Sequence, residues 1–185
     1  MKKCFYILFL FLSMPLWAQA QTRRASIPLQ HGAHRIGNRT DADMERWRQH
    51  GLGQFIHWGV YAIPGGFWEG KCYPGAAEWI RSWKEMPKDA YDSLYKQFNP
   101  TSFDAKAWAK QARQMGANYM IFTTKHHDGF CLWPSKYTDY TIAHTPYKKD
   151  VVKQIVDAYT AEGIDVHLYF SIIDWNHKGY RPAPQ

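Results

Sequence analysis

The residues able to do chemistry fall in four clusters. His57 and Trp58 stand together, Glu78 and Trp79 form a second pair, Lys125, His126, His127 and Asp128 run consecutively, and Tyr169, Asp174, Trp175 and His177 lie within a short stretch. Imidazoles and carboxylates can move protons, ligate metals or hydrogen-bond hydroxyl groups. A neutral imidazole offers one donor and one acceptor, which suits the vicinal hydroxyls of a sugar. Tryptophan adds a flat apolar face that fits the C–H face of a sugar ring.

Each cluster also has a plainer reading. His57 alone could be a satisfied core histidine, since histidine is intermediate in burial. Glu78-Trp79 could be a solvated carboxylate beside a packing tryptophan. The doublet His126-His127 is harder to set aside. Neighbours on a strand point to opposite faces, so both reach one pocket only where a strand gives way to a loop. Asp128-Gly129 supplies a turn of that kind. Three histidines also raise the possibility of a metal site. Barrel metallohydrolases usually carry His-x-His on the first strand, whereas His57-Trp58-Gly59 has no second histidine and no ligand carboxylate nearby in sequence. A metal-dependent hydrolase is therefore the runner-up, and a sugar site the leading reading.

The hydropathy pattern places these clusters. A short helix is expected over Ala42 to His50, capped by Asp41 or Thr40 and stopped at Gly51. Leu52 to Tyr61 reads as a buried strand ended by Pro64-Gly65-Gly66, and Phe67 to Met86 as a long loop holding three tryptophans. Pro87 opens a helix with Tyr91, Leu94, Tyr95 and Phe98 on one face. Asp104 caps another, with Ala105, Trp108, Ala112 and Met115 on its apolar face and Gly116 at its end. Tyr119 to Thr123 is the next strand. Asp150 caps a helix presenting Val152, Ile155, Val156 and Tyr159, which ends at Gly163, and Asp165 to Ile172 is the third strand. Strands alternating with helices imply a parallel sheet with right-handed crossovers, either a (β/α)8 barrel or a doubly wound sheet. The absence of a Gly-x-Gly-x-x-Gly after the first strand weighs against a dinucleotide fold. Every chemical cluster then falls at the carboxyl end of a strand, the face where parallel α/β folds bind ligands.

Composition narrows the partners. Aromatics make up 17% of the 185 residues, with nine tryptophans, which suits a carbohydrate cleft but on composition alone fits an aromatic core better. The formal net charge is +7, but the basic residues are scattered or paired, so no nucleic-acid stripe is expected. Residues 1–20 read as a signal peptide: Lys2 and Lys3, an apolar run from Phe5 to Leu12, then Ala18-Gln19-Ala20. That run is too short for a membrane span, so the mature protein is expected to be exported, periplasmic or extracellular, without stable membrane insertion. Residues 21–40 lack periodicity and are expected to form a flexible mature N-terminus. After loss of Cys4 with the leader, Cys72 and Cys131 remain and are expected to be free and structural.

The motifs resemble a known family. Phe55-Ile56-His57-Trp58-Gly59, Glu78-Trp79, Thr123-Thr124-Lys125-His126-His127-Asp128-Gly129-Phe130, Tyr169-Phe170-Ser171 and Asp174-Trp175 occur in the order found in glycoside hydrolase family 29, the α-L-fucosidases. The segment Thr124 to Ser135 is the most distinctive, and the resemblance runs from about Met44 to about Pro184. It implies that residues 41–185 form the N-terminal part of a (β/α)8 TIM-like barrel, about three strand–helix units and incomplete. It implies release of terminal α-L-fucose from glycans with retention, with no cofactor and a fucosylated oligosaccharide or glycoconjugate as partner. By the match, His57, Glu78, Trp79, His126 and His127 bind the sugar. The family's Asp nucleophile and its acid/base are expected after Gln185, so no catalytic residue is assigned here and Asp174 is not promoted to that role. The chain alone is expected to lack hydrolytic activity. A non-catalytic sugar-binding remnant is the alternative from another class.

Overall fold

The computed structural model describes residues 40–180. The expected signal peptide and most of the expected flexible N-terminus therefore lie outside the described residues. The chain divides into two units, Met1–Arg46 and Trp47–Gln185. Helix α1 (Asp41–Gln49) runs across that boundary and begins with a reciprocal cap: the Thr40 N–H donates to Asp43 at 2.6 Å, and the Asp43 N–H donates back to the Thr40 hydroxyl at 3.2 Å. Thr40, not Asp41, is thus the cap, because its hydroxyl reaches a first-turn N–H that has no partner within the helix.

The second unit is built on a parallel three-stranded sheet, β1 (Gly53–Ile56), β4 (Tyr119–Lys125) and β5 (Asp165–Phe170), in the order β1-β4-β5. Gly53 pairs with Tyr119 and Tyr119 with Asp165, and a register shift between Thr123 and Lys125 loosens the ladder at its end. Helices α3 (Ala105–Gln114) and α4 (Val151–Ala161) pack together, and α4 lies against β4 and β5. Asp104 starts α3 by accepting from the Lys106 and Ala107 N–H groups, and Asp150 starts α4 by accepting from that of Lys153. Met120 and Phe122 of β4 join Ala109 and Ala112 of α3 and Val151, Ile155 and Tyr159 of α4 in the buried core. The expected strand–helix–strand–helix–strand order is present, with central β4 the best-buried strand.

Several expectations need correction. The first strand stops at Ile56 and continues as a 3-10 turn, Val60–Ala62. The reason is a side chain: the Trp58 N–H donates to the Thr123 hydroxyl at 3.0 Å in place of a ladder carbonyl. That strand is also not buried, since Phe55 is 50% exposed on a strand with one neighbour among the described residues. The supposed loop Phe67 to Met86 contains a hairpin, β2 (Phe67–Trp68) with β3 (Lys71–Cys72), and a 3-10 turn, Ala77–Ser82. The helix after Pro87 divides into α2 (Lys88–Ser93) and a 3-10 turn, Leu94–Gln97, yet still buries Tyr91, Leu94 and Phe98. On α3, Met115 is 59% exposed while Ala105, Ala109 and Ala112 are buried. At about 100° per residue, ten positions fall some 80° short of three turns and carry Met115 off the buried stripe. On α4 the buried stripe is Val151, Ile155, Ala158 and Tyr159, with Val152 and Val156 half-buried. β4 runs two residues further than expected and β5 ends two earlier, leaving Ile172 in solvent. Cys72 and Cys131 are both free, but only Cys131 is buried, so the structural reading holds for that one alone. Among the described residues no helix is long and apolar enough to cross a membrane.

Candidate functional site

The carboxyl ends of the three parallel strands bring the predicted residues to one place. His57 follows β1 directly, His126 and His127 follow β4, and Tyr169 sits near the end of β5. Glu78 and Trp79 arrive from the 3-10 turn Ala77–Ser82. The His57 and His126 rings are 5.5 Å apart and those of His126 and His127 4.3 Å apart. Trp79 meets the His127 ring edge-on at 4.8 Å. One donor atom each from His57, Glu78 and His126 lies within 4.8 Å of the others. All five expected pocket residues therefore converge, although Glu78 is remote in sequence from both histidines. The carboxylate that sequence proximity did not provide is supplied by the fold.

The doublet works as its spacing requires. β4 ends at Lys125, and a bend over Asp128-Gly129 closes with the Gly129 N–H donating to the His126 carbonyl at 3.1 Å. Gly129 has a φ of 89°, and a Cβ there would fall 2.3 Å from an oxygen of Asp174, so no larger residue fits. The two imidazoles then have different supports. His127 Nδ1 and the Ser171 hydroxyl are 2.6 Å apart. His126 is buried, stacked on Tyr169 at 5.7 Å and met edge-on by Tyr61 at 5.9 Å. Burial, reinforced by His127 and His57, lowers the His126 pKa to about 4, leaving it neutral at pH 7. Burial, followed by the Lys125 ammonium, also lowers that of His127.

Two buried charges hold the rim. Lys125 pairs with Asp174 at 3.1 Å, and its ammonium lies 4.8 Å from the centre of the Phe170 ring. Asp174 also accepts from the Asn176 and His177 N–H groups and so fixes the loop after β5. The Trp175 N–H in that loop donates to the His127 carbonyl at 2.7 Å, and its ring lies 5.5 Å from Trp79. Asp128 is 1% exposed; it accepts from the Tyr91 hydroxyl at 2.7 Å and the Phe130 N–H at 3.2 Å. Desolvation raises its pKa to about 6 against those hydrogen bonds.

Sequence reasoning marked Tyr169, Asp174 and Trp175 as chemically capable but left them out of the pocket. Tyr169 belongs to it, 6.1 Å from the His57 ring, and Trp175 walls it beside Trp79. Lys125 and Asp174 act on each other, and His177 is engaged locally, its Nδ1 accepting from the Gly179 N–H. Tyr61, Tyr91 and Ser171 were missed. The aromatic run around Tyr61 hinted at a packed residue, but no local pattern links Tyr91 to Asp128 or Ser171 to His127.

This arrangement can hold a polyhydroxylated ring: neutral imidazoles and one carboxylate for hydroxyls, with two indoles for apolar edges. Comparison with known proteins agrees. The α-L-fucosidase family model matches residues 23–185. The chain is 32% identical over 139 residues to alpha-L-fucosidase 1 of Arabidopsis thaliana, covering 73% of this chain and 23% of that protein. It is 33% identical over 135 residues to the human plasma alpha-L-fucosidase, covering 68% and 29%. It thus spans between 23% and 29% of these relatives' length. Among solved structures, the GH29 alpha-L-fucosidase from Bacteroides thetaiotaomicron is 58% identical with a TM-score of 0.75, over 84% of this chain and 35% of that one. A GH29 alpha-L-fucosidase from Bacteroides thetaiotaomicron, also 58% identical, has been solved in mutant form as a trapped covalent intermediate with 2-fluoro-fucosyl fluoride. Alpha-L-fucosidase AlfC from Lactobacillus casei, in complex with its alpha-L-fucose product, is 36% identical with a TM-score of 0.69, covering 72% and 41%. A family match over most of the chain, in both sequence and fold, places it in glycoside hydrolase family 29, the α-L-fucosidases, as part of their N-terminal region.

Proposed function

We propose that this chain provides the fucose-binding side of a retaining α-L-fucosidase active site. The observation that carries the reading is the convergence of His57, Glu78 and His126 within 4.8 Å, with Trp79 and His127 beside them. His126 is neutral, so it can give one hydrogen bond and take another, while Glu78 accepts from hydroxyls. Such contacts lower the barrier where they tighten as the ring flattens toward the oxocarbenium-like transition state. The covalent intermediate trapped in the Bacteroides thetaiotaomicron relative supports retention. The exposed Phe55, Leu168 and Phe170 on the two outer strands support a (β/α)8 barrel of which these are the first three units, since further strands would cover them. The signal-like pattern of residues 1–20 supports export to the periplasm or beyond.

Hydrolysis with retention needs two carboxyl groups roughly 5–5.5 Å apart, one of them a free nucleophile. Among the described carboxylates at the site, Asp128 is buried on Tyr91, Asp174 is tied to Lys125, and Glu78 sits among imidazoles. The attacking and proton-transferring carboxyls are therefore assigned to residues outside those described. Two measurements test this division of roles. L-fucose should quench the tryptophan emission of the 185-residue chain, with binding weakened roughly tenfold, about 1.4 kcal/mol, by Glu78→Gln. The same chain should leave an aryl α-L-fucoside intact. Failure to bind L-fucose, or turnover abolished by changing Glu78 or Asp174, refutes the assignment.

A further inference from the structure

The cluster at the centre of the pocket has a second capability. A tetrahedral zinc with ligands at about 2.1 Å holds them about 3.4 Å apart. The donor atoms of His57, Glu78 and His126 lie within 4.8 Å of one another, so at most about 1.4 Å of closure per pair is needed. Two of the three can move. His57 is exposed, and Glu78 is half-buried on a short 3-10 turn, whereas His126 is buried and fixed. Two imidazole nitrogens and one carboxylate oxygen suit zinc, copper or nickel; magnesium and calcium prefer oxygen ligands alone. His126 Nδ1 is buried with no hydrogen-bond partner among the described residues, a costly state for a polar atom at the cluster. Burial also keeps this imidazole unprotonated, as ligation requires. His127 is outside the set, its Nδ1 engaged with Ser171.

We propose that His57, Glu78 and His126 form a chelating site for a divalent transition-metal ion of the zinc class, and that the bound ion excludes the sugar from the pocket. Three protein ligands leave the fourth position to water, and one carboxylate only partly balances the ion's charge. The outcome is reversible occupancy and inhibition. Only the exclusion of sugar rests on the function proposed above; the chelate stands on its own geometry.

Titration calorimetry of the tag-free protein with zinc chloride tests this, with cobalt(II) absorption as an independent signature of four-coordination. One zinc per chain is expected to bind in the micromolar range. Binding should weaken at least roughly tenfold in His126→Gln and in Glu78→Gln. His57→Gln, at an exposed position, supplies the same comparison should a change at buried His126 disturb folding. Saturating L-fucose should lower the apparent zinc affinity. No saturable zinc binding, or binding unchanged in all three variants, overturns the proposal. Zinc binding that the variants abolish but L-fucose leaves untouched keeps the chelate and overturns the exclusion, while tryptophan quenching by L-fucose in zinc-free buffer decides the sugar site separately.

Discussion

Replacing Asp128 by asparagine should remove the pH dependence that this buried carboxyl imposes on stability. Asp128 is 1% exposed, and its pKa rises from 3.8 to about 6, chiefly because burial disfavours the charge. Between those values the folded chain binds more protons than the unfolded one, so its stability falls as pH rises. The contribution is fully present below pH 3.8 and lost as pH passes through 6. At about 1.4 kcal/mol per unit, the loss is on the order of 3 kcal/mol. Asparagine keeps the shape and one acceptor for the Phe130 N–H, and the Tyr91 hydroxyl can reverse to accept from the new amide. The variant should therefore match the parent near pH 4 and exceed it near pH 8 by about 3 kcal/mol, or about 6–12 °C in Tm for a chain of this size. Arg81 and Asp174 also act on Asp128 with opposite signs, so both must be left intact. Thermal melts of both proteins at half-unit steps from pH 4 to 8 give the difference directly. A difference independent of pH, or one that favours the parent more as pH rises, would show that the carboxyl is not held as a costly buried charge.

Two further outcomes follow from the same surroundings. Lys125→Ala should leave Asp174 without its partner and destabilise the fold, toward the lower end of about 3–5 kcal/mol because Asp174 is partly solvated; a urea midpoint within error of the parent refutes it. The His126 imidazole should titrate near pH 4 by NMR, so its share of stability rises with pH between about 4 and 6.5, and a midpoint above 6 would mean the ring is not desolvated.

The parts legible in the sequence were those with a local signature. The caps at Asp104 and Asp150 and the change of period from helix to strand could be read within a few residues, and they placed His57, His126 and Tyr169 at strand ends. The doublet was legible because two adjacent side chains meet only past the end of a strand. What could not be read depends on partners distant in the chain. Tyr91 and Asp128 are 37 positions apart and His127 and Ser171 44, so neither bond leaves a pattern in any window. The early stop of β1 has the same origin, since the hydroxyl that ends it belongs to Thr123. The exposure of Phe55, on a strand read as buried, has another origin. Apolar runs report what a strand can bury, whereas an outer strand has a neighbour on one side only.

The rim is rigid because β4 changes its mode of bonding before it ends. Up to Phe122 its backbone is satisfied by ladders on both sides. Beyond that the neighbours diverge, and buried backbone groups still require partners. Four consecutive residues supply them. The Thr123 hydroxyl accepts the Trp58 N–H, the Thr124 hydroxyl donates to the Tyr169 carbonyl at 2.9 Å, the Lys125 ammonium donates to the Ile173 carbonyl at 3.5 Å, and the His126 carbonyl receives the Gly129 N–H. Ser171 extends the pattern, its N–H donating to the Lys125 carbonyl and its hydroxyl 2.6 Å from His127. The Thr123, Thr124 and Ser171 side chains are short, have few rotamers and are buried, so each of their polar links fixes direction as well as proximity. An apolar substitution at Thr123 or Thr124 would strand backbone groups of the adjoining strand ends, not merely remove a hydroxyl. The polar residues under the pocket are therefore the means by which diverging strand ends present His126 and Tyr169 in one fixed relation, with His57 beside them, and a binding surface for hydroxyls follows from solving that backbone problem.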